Sequence, residues 1–372
     1  MIPRGTLEPV FPSCVQSRYI GGMGMFTRLF GGKVGAAERS ARSARAANLT
    51  APVPGQPTFA EAVPREVTVA FHAHDNVEGL VGNFLTAVSD GLVSSGQREL
   101  VLTMRLGDRE PPIAKMQEVV RFFATVHAWA RAGNVVDEGG LTQFGDRGLF
   151  GQVGCGLLYA DARPITGVEL PQRALAAVFV HAPEIRAASD YGIYRVLMRI
   201  GAQLRLFPYP TWGALDRPSA VTPREAESLL ARVFRMRVPR ASFVVAERCL
   251  RLTIPSDAKN LASGVSTLAA EAPFALLTRP AASANAILTW RPGQREPTGI
   301  SPDGSDGARL SGSFVLFVPS EEGDQGRPFE DGYSLLLSAE SWRLLTAALV
   351  QCRPLSIELS EGLQFELEWL VA

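Results

Sequence analysis

Apolar and polar residues alternate strictly along several short stretches of this chain and recur at helical spacing along others, which predicts interleaved strands and helices. Val67, Val69 and Phe71 share one side of a strand in an ordered region that starts near Glu66. Phe84–Val88 reads as a second strand, Ser94-Ser95-Gly96-Gln97 as a turn, and Glu99–Arg105 as a strand with Leu100, Leu102 and Met104 inward. Pro111-Pro112 opens a long helix, and Pro112 suits a first turn, where the missing N–H costs nothing. Met116, Val119, Val120, Phe123, His127 and Ala130 fall on one helical face, and Gly133 supplies the stop. A glycine-rich loop over 139–156 follows, then buried strands at Gly156–Tyr159 and Ala176–Val180. Tyr194–Ile200 fits strand or helix; its periodicity does not decide.

Pro218–Thr222 reads as a junction. Thr222-Pro223-Arg224-Glu225 has the form of a capped helix start, and the spacing predicts a helix with Leu229, Leu230, Val233 and Phe234 inward. Strands are expected at Ser242–Val245, Leu250–Pro255, Ile287–Trp290, Ser313–Val318 and Tyr333–Leu337. A helix is expected over Ala258–Ala270 and another after Ser338, whose hydroxyl is placed to cap it, through Val350. Polar loops fill Arg291–Arg309 and Glu321–Asp331. The chain closes in a predicted hairpin, with Leu355, Ile357 and Leu359 set against Leu363, Phe365, Leu367 and Trp369 across Glu361-Gly362.

This pattern gives an α+β protein with mainly antiparallel sheets in two closely packed halves, 64–220 and 221–372, behind a leader over 1–63. The leader is rich in Arg, Ser, Ala, Gly and Pro, as in Arg39-Ser40-Ala41-Arg42-Ser43-Ala44-Arg45, a composition unsuited to a core. It reads as a disordered tail, a transit peptide, or sequence upstream of a later start at Met23 or Met25. Phe26, Leu29 and Phe30 could also form a short membrane-touching face.

At 372 residues and 46% hydrophobic content the chain can bury a sizeable core. Basic and acidic residues balance at 37 each, so no global field draws in nucleic acid or anionic lipid. The four cysteines are scattered without a paired spacing, which argues against a zinc site or disulfide framework and for a reducing, cytoplasmic setting. No apolar run approaches the roughly 20 residues of a membrane span, so any membrane association is expected to be indirect.

Candidate chemistry is sparse. His72-Ala73-His74-Asp75 puts two imidazoles on one face of a strand, as metal-dependent hydrolases use, but a third ligand is not evident. His127 sits on an apolar helix face and reads as a core residue. Cys155 lies between glycines without a base to activate it, and the glycine run lacks the spacing of a phosphate-binding loop. Asp303-Gly304-Ser305-Asp306-Gly307 lacks the closing glutamate of a calcium loop. Arg232, Arg235, Arg237 and Arg240 form a basic cluster; the neutral overall charge favours an intramolecular role over nucleic acid, and either this cluster or a basic partner would offset the acidic face of the terminal hairpin, Glu358, Glu366 and Glu368.

A series of segments, in order, resembles the C-terminal domain of the FYVE-finger endosomal anchors, the family of the Smad anchor for receptor activation and endofin. They include Gly96-Gln97, Gly133-Asn134-Val135-Val136, Gly148-Leu149-Phe150-Gly151 and Gly156-Leu157-Leu158-Tyr159. Arg199-Ile200-Gly201-Ala202 with Arg205-Leu206-Phe207-Pro208-Tyr209-Pro210 is the most specific. In the second half the segments are Leu252–Pro255, Ser311–Phe317, Glu330-Asp331-Gly332-Tyr333 and Phe365–Trp369. The cysteine-rich lipid-binding finger of that family has no counterpart here. The resemblance implies a non-catalytic, adaptor-type domain that binds another protein and needs no cofactor or metal. Arg199, Arg205, Arg235, Arg237, Asp331, Glu366 and Glu368 are its candidate interaction residues. Glu99–Arg105 followed by Pro111-Pro112 also resembles suppressor-of-fused domains. A metal-dependent hydrolase using His72 and His74 stands as a further alternative.

Overall fold

The computed structural model describes residues 28–29, 49–107, 110–145, 148–149, 155–214, 216–221, 228–258, 261–268, 271–291 and 296–370. Most of the leader, the proposed helix cap at Thr222–Glu225 and the Phe150-Gly151 part of one motif lie outside them.

The first sheet contains β1 (Arg28–Leu29), β2 (Thr58–Val63), β3 (Val67–Val77), β4 (Leu80–Asp90), β5 (Leu100–Arg105), β6 (Leu141–Phe144), β7 (Cys155–Asp161) and β8 (Leu175–His181). Its strands lie in the order β1-β6-β7-β8-β5-β4-β3-β2. The second sheet contains β9 (Phe234–Ala246), β10 (Cys249–Pro255), β11 (Phe274–Pro280), β12 (Ala286–Leu288), β13 (Gly299–Ile300) and β14 (Arg309–Ser311). It is completed by β15 (Phe314–Pro319), β16 (Gln325–Phe329), β17 (Gly332–Leu337), β18 (Leu355–Glu358) and β19 (Gln364–Leu370). The helices are α1 (Pro112–Arg131), α2 (Ala182–Tyr191), α3 (Ile193–Leu204), α4 (Leu261–Ser266) and α5 (Ala339–Gln351). The fold is α+β with mainly antiparallel pairing, as expected.

The alternation of each strand dictates a five-layer stack. Val69 and Phe71 of β3, Leu100 and Leu102 of β5 and Ala177 and Phe179 of β8 meet Met116, Val119 and Phe123 of α1. The intervening Ala176, Val178 and Val180 of β8 face the other way, onto Ile185 of α2 and Val196 and Leu197 of α3. The same cluster takes in Ala275, Leu277, Phe314 and Leu316 from the second sheet, so α2 and α3 are shared by both halves. The far face of the second sheet, including Phe274, Leu276 and Phe317, packs on Leu261 of α4 and Trp342, Leu345 and Leu349 of α5. This hydrophobic cluster is common to both halves and packs them against each other, since so large an apolar face is costly to leave in water.

Several local expectations hold at the level of hydrogen bonds. Pro112 takes the first position of α1. At its end the Gly133 and Asn134 amides donate to the carbonyls of Ala130 and Trp129, a Schellman closure with Gly133 at φ 83. Ser338 accepts from the Ser341 amide at the start of α5. Tyr194–Ile200, ambiguous by period, is helical in α3.

Other expectations are corrected. Thr58–Val63, part of the leader by composition, is strand β2, paired antiparallel with β3. Its flanking residues Pro57 and Pro64 disguised it as linker. The helix expected to bury Val233 and Phe234 is a single tight turn over Leu229–Arg232, after which Phe234 opens β9. Met236 and Val238 are buried and alternate with half-buried Arg235 and Arg237, the two-residue period of a strand. The helix expected over Ala258–Ala270 is described only as α4; the glycine-rich run contains β6, and the two polar loops contain β13 and β16, none of which the sequence pattern signals. The closing hairpin forms, but β19 also runs parallel to β10 along its full length, which builds it into the sheet.

Candidate functional site

The Gln97 side chain sets one wall of a polar cleft. Gln97 is buried, accepts from the Val136 amide at 2.7 Å and donates to the Val136 carbonyl at 3.0 Å. This pairing acts as a one-residue strand, and it joins two of the motifs singled out in the sequence. It fixes the chain leaving α1, so that Asp137 and Glu138 arrive beside Arg98. Arg98 Nη1 lies 2.9 Å from Asp137 Oδ1 and Nη2 2.8 Å from Asp161 Oδ1, while Nε donates to the Arg173 carbonyl at 2.6 Å. Burial opposes the charge on Arg98, but the hydrogen bonds and charges of Asp161 and Asp137 outweigh it and raise its pKa.

The opposite wall is β9. Arg237 donates from Nη2 to the Glu138 carbonyl at 2.9 Å. It can lie there because residue 139 is glycine: a Cβ on Gly139 would stand 2.2 Å from that guanidinium nitrogen, and the backbone φ is +73°. Arg240, itself at φ 63, pairs with Asp257. Behind this wall the buried Glu138 carboxylate takes Arg279 Nη1 at 3.0 Å and the Tyr194 hydroxyl on Oε1, and Arg279 also reaches Asp161 at 2.6 Å. The second carboxylate oxygen, Oε2, is buried without a hydrogen-bond partner. Between the walls is a cavity of about 370 Å³, lined by Arg98, Asp137, Glu138, Arg173, Arg237 and Arg240 and floored in part by Pro239 and Leu261.

The main chain of β9 is open along this cleft. Phe234–Arg237 pair with β11 on one side, and β10 joins on the other side only from Ser242 to Ala246. Among the described residues no strand covers that second side from Phe234 to Ala241. Arg237, Val238, Pro239 and Arg240 of this open run all line the cavity.

The sequence-derived candidates fall in several places. Arg237 lies in the cleft. Arg235 donates to the Leu230 carbonyl and rests over the Tyr191 ring at 5.6 Å. Arg199 ties α3 to the second half, donating to the Trp290 carbonyl at 2.7 Å and to that of Ala220. Asp331 is buried against Arg195 of α3: Oδ2 accepts from Nε at 3.0 Å, and Arg195 also reaches Glu330 at 2.9 Å and Ser228 at 2.7 Å. Arg205 is exposed and in the left-handed region, where it ends α3. The loop after it folds back so closely that a Cβ on Gly201 would stand 2.5 Å from the Leu206 carbonyl oxygen. The motif Arg199–Pro210 is therefore a packing unit.

Glu366 and Glu368 do not meet the Arg232–Arg240 cluster. Both pair with Arg251 of β10, at 2.8 and 3.1 Å, because β19 lies directly beside β10. His72 and His74 share one face of β3 with ring centroids 6.3 Å apart. Burial lowers both pKa values; His74 lowers that of His72 further, while Asp75 opposes the shift at His74. Among the described residues no group of three or more His, Cys, Asp or Glu side chains is placed to hold a metal ion. Cys155 opens β7, buried, and burial raises its thiol pKa. Arg98, Asp137, Arg173, Asp257 and Arg279 carry no signal in the sequence, since they come from separate segments and share no motif.

No family model matches the chain, and no curated protein matches it. Among solved structures it is similar to the crystal structure of Drosophila Suppressor of Fused, with 11% identity and a TM-score of 0.30 over 81% of this chain and 88% of that one. Among the described residues no helix is long and apolar enough to cross a membrane.

Proposed function

We propose that this chain is a non-catalytic protein-interaction module, and that it takes an extended segment of a partner along the open side of β9. The observation that carries this reading is the uncovered run of β9 facing a cavity of about 370 Å³. Unpaired strand N–H and C=O groups are a template for a further strand, and alternate side chains of an added strand would enter the cavity. The acids of the cleft support a binding surface with no chemical step: Asp137, Glu138 and Asp257 are each engaged by an arginine. The adaptor-type role implied by the resemblance to the receptor-activation anchors agrees with this. A cytoplasmic setting is part of the proposal, supported by free thiols at Cys155, Cys249 and Cys352.

The test is capture of a partner by the full chain and by a Pro239→Trp variant, followed by titration with the recombinant partner fragment. Pro239 is exposed and lines the cavity, so the added ring fills the site without touching the core. Wild type is expected to bind with slowed amide exchange over residues 235–238, and the variant to lose binding at an unchanged melting temperature. Binding that survives the substitution, with unaltered exchange in β9, would overturn the proposal. Stoichiometric zinc or manganese in the purified protein, lost in His72→Ala, would overturn its non-catalytic part.

A further inference from the structure

We infer that the cleft selects a partner segment by an acidic side chain, and that Arg173 is the residue that reads it; this rests on the β9-edge reading above. Four arginines line the cavity, Arg98, Arg173, Arg237 and Arg240, against three acids, Asp137, Glu138 and Asp257. Three of these arginines are committed: Arg98 to Asp137 and Asp161, Arg240 to Asp257, and Arg237 to the Glu138 carbonyl. Behind the wall Glu138 is held by Arg279. Arg173 is exposed, and its guanidinium makes no hydrogen bond or ion pair with any described residue.

Arg173 is nonetheless held in place. Its backbone sits in the left-handed region at φ 59, and Arg98 Nε grips its carbonyl at 2.6 Å. The surplus cation is therefore carried by an anchored backbone on the wall opposite β9. A strand laid along β9 presents alternate side chains to that wall. A guanidinium binds carboxylate or phosphoryl oxygens through charge-assisted, frequently bidentate hydrogen bonds. A lysine or arginine at the same place in the partner would meet a like charge instead.

The experiment uses four labelled nine-residue peptides of alternating valine and threonine, with Glu, phosphoserine, Gln or Lys at the centre, titrated against the full chain. The Glu and phosphoserine peptides are expected to bind about tenfold more tightly than the Gln peptide, the scale of one hydrogen bond to a charged group. The Lys peptide is expected to bind least. The advantage should vanish in Arg173→Asn, which tolerates the left-handed backbone, and persist in part in Arg173→Lys. A preference for only one of the two acidic peptides names the source of the oxyanion. Equal binding of the Glu, phosphoserine and Gln peptides overturns the acidic subsite and leaves the edge reading standing. An acidic preference retained in Arg173→Asn overturns the assignment to Arg173. Failure of all four peptides to bind removes the edge reading and this inference together.

Discussion

Arg195 and Asp331 lock the two halves together from opposite sides of their shared core: the guanidinium leaves α3 and meets the carboxylate just before β17. Neither side chain is exposed to solvent. Arg195 is further sandwiched by rings, with its guanidinium carbon 4.5 Å from the Trp290 centroid and 5.3 Å from that of Phe314. A buried ion pair of this kind adds little over a hydrophobic isostere, but removing one partner leaves an uncompensated charge.

That asymmetry gives the first prediction. Arg195→Met leaves Glu330 and Asp331 buried without their cation and is expected to cost about 3–5 kcal/mol, read as a fall in the denaturation midpoint. Asp331→Asn in the same background should recover part of the loss. A single Arg195→Met variant as stable as wild type would show that the pair does not join the halves.

A second buried pair makes stability depend on acid. Glu184 caps α2 and binds Arg217 through both oxygens, at 2.6 and 2.7 Å, with the amides of His181 and Ala220 on the same carboxylate. Burial alone would raise its pKa, but the hydrogen bonds and charge of Arg217 and the two amides hold it below the ordinary 4.5. The folded value lies below the unfolded one, so the contribution is complete above 4.5 and is lost as the pH falls through the folded value. Thermal melts from neutral pH down to strongly acidic conditions should show a steeper decline for wild type than for Glu184→Gln. Parallel curves would remove Glu184 from the account.

Legibility in the sequence followed locality. Helix α1, with its proline start and Gly133 stop, was readable because its period and both caps lie within one stretch. The hairpin of β18 and β19 was readable for the same reason, and Glu361 and Gly362 both adopt the left-handed turn. The start of strand β9 reads as helix because Leu229, Leu230, Val233 and Phe234 mimic a helical face, although Val233 and Phe234 are β-formers and Phe234, Met236 and Val238 alternate with arginines. Strand β16 hid in a polar run containing Gly326 and Pro328, which an edge strand tolerates. The cleft was not readable at all. Its arginines come from the approach to β5, the loop before β8 and the middle of β9, and only the Gln97–Val136 tie and the docking of β9 bring them together.

The acidic face of the closing hairpin yields a third prediction. Arg251 alternates with buried Leu250 and Leu252 on β10 and is the shared partner of Glu366 and Glu368. All three are partly exposed, so the network is worth about 1 kcal/mol at most. Reversing Glu366 and Glu368 to lysine places three cations together and should lower the melting temperature. Adding Arg251→Glu to that double variant should restore it, whereas reversing Arg235 and Arg237 should not. Rescue by the Arg235 and Arg237 changes in place of Arg251→Glu would return the acids to the β9 arginines.

The last prediction concerns Gly139, which joins the fold to the cleft. Alanine there would be strained at φ +73° and would crowd the Arg237 guanidinium, which a Cβ would approach to 2.2 Å. The backbone term alone costs about 1 kcal/mol. The side chain of Arg237 must also leave the Glu138 carbonyl, so Gly139→Ala should weaken partner binding as well as stability. Arg237→Ala removes the same hydrogen bond without the backbone strain, and the two changes meet at one contact. Their effects on binding are therefore expected to be less than additive in a double-mutant cycle, while their effects on stability differ by the strain. Fully additive losses of affinity would mean that Arg237 acts on the partner by a route other than its seat on the Glu138-Gly139 backbone.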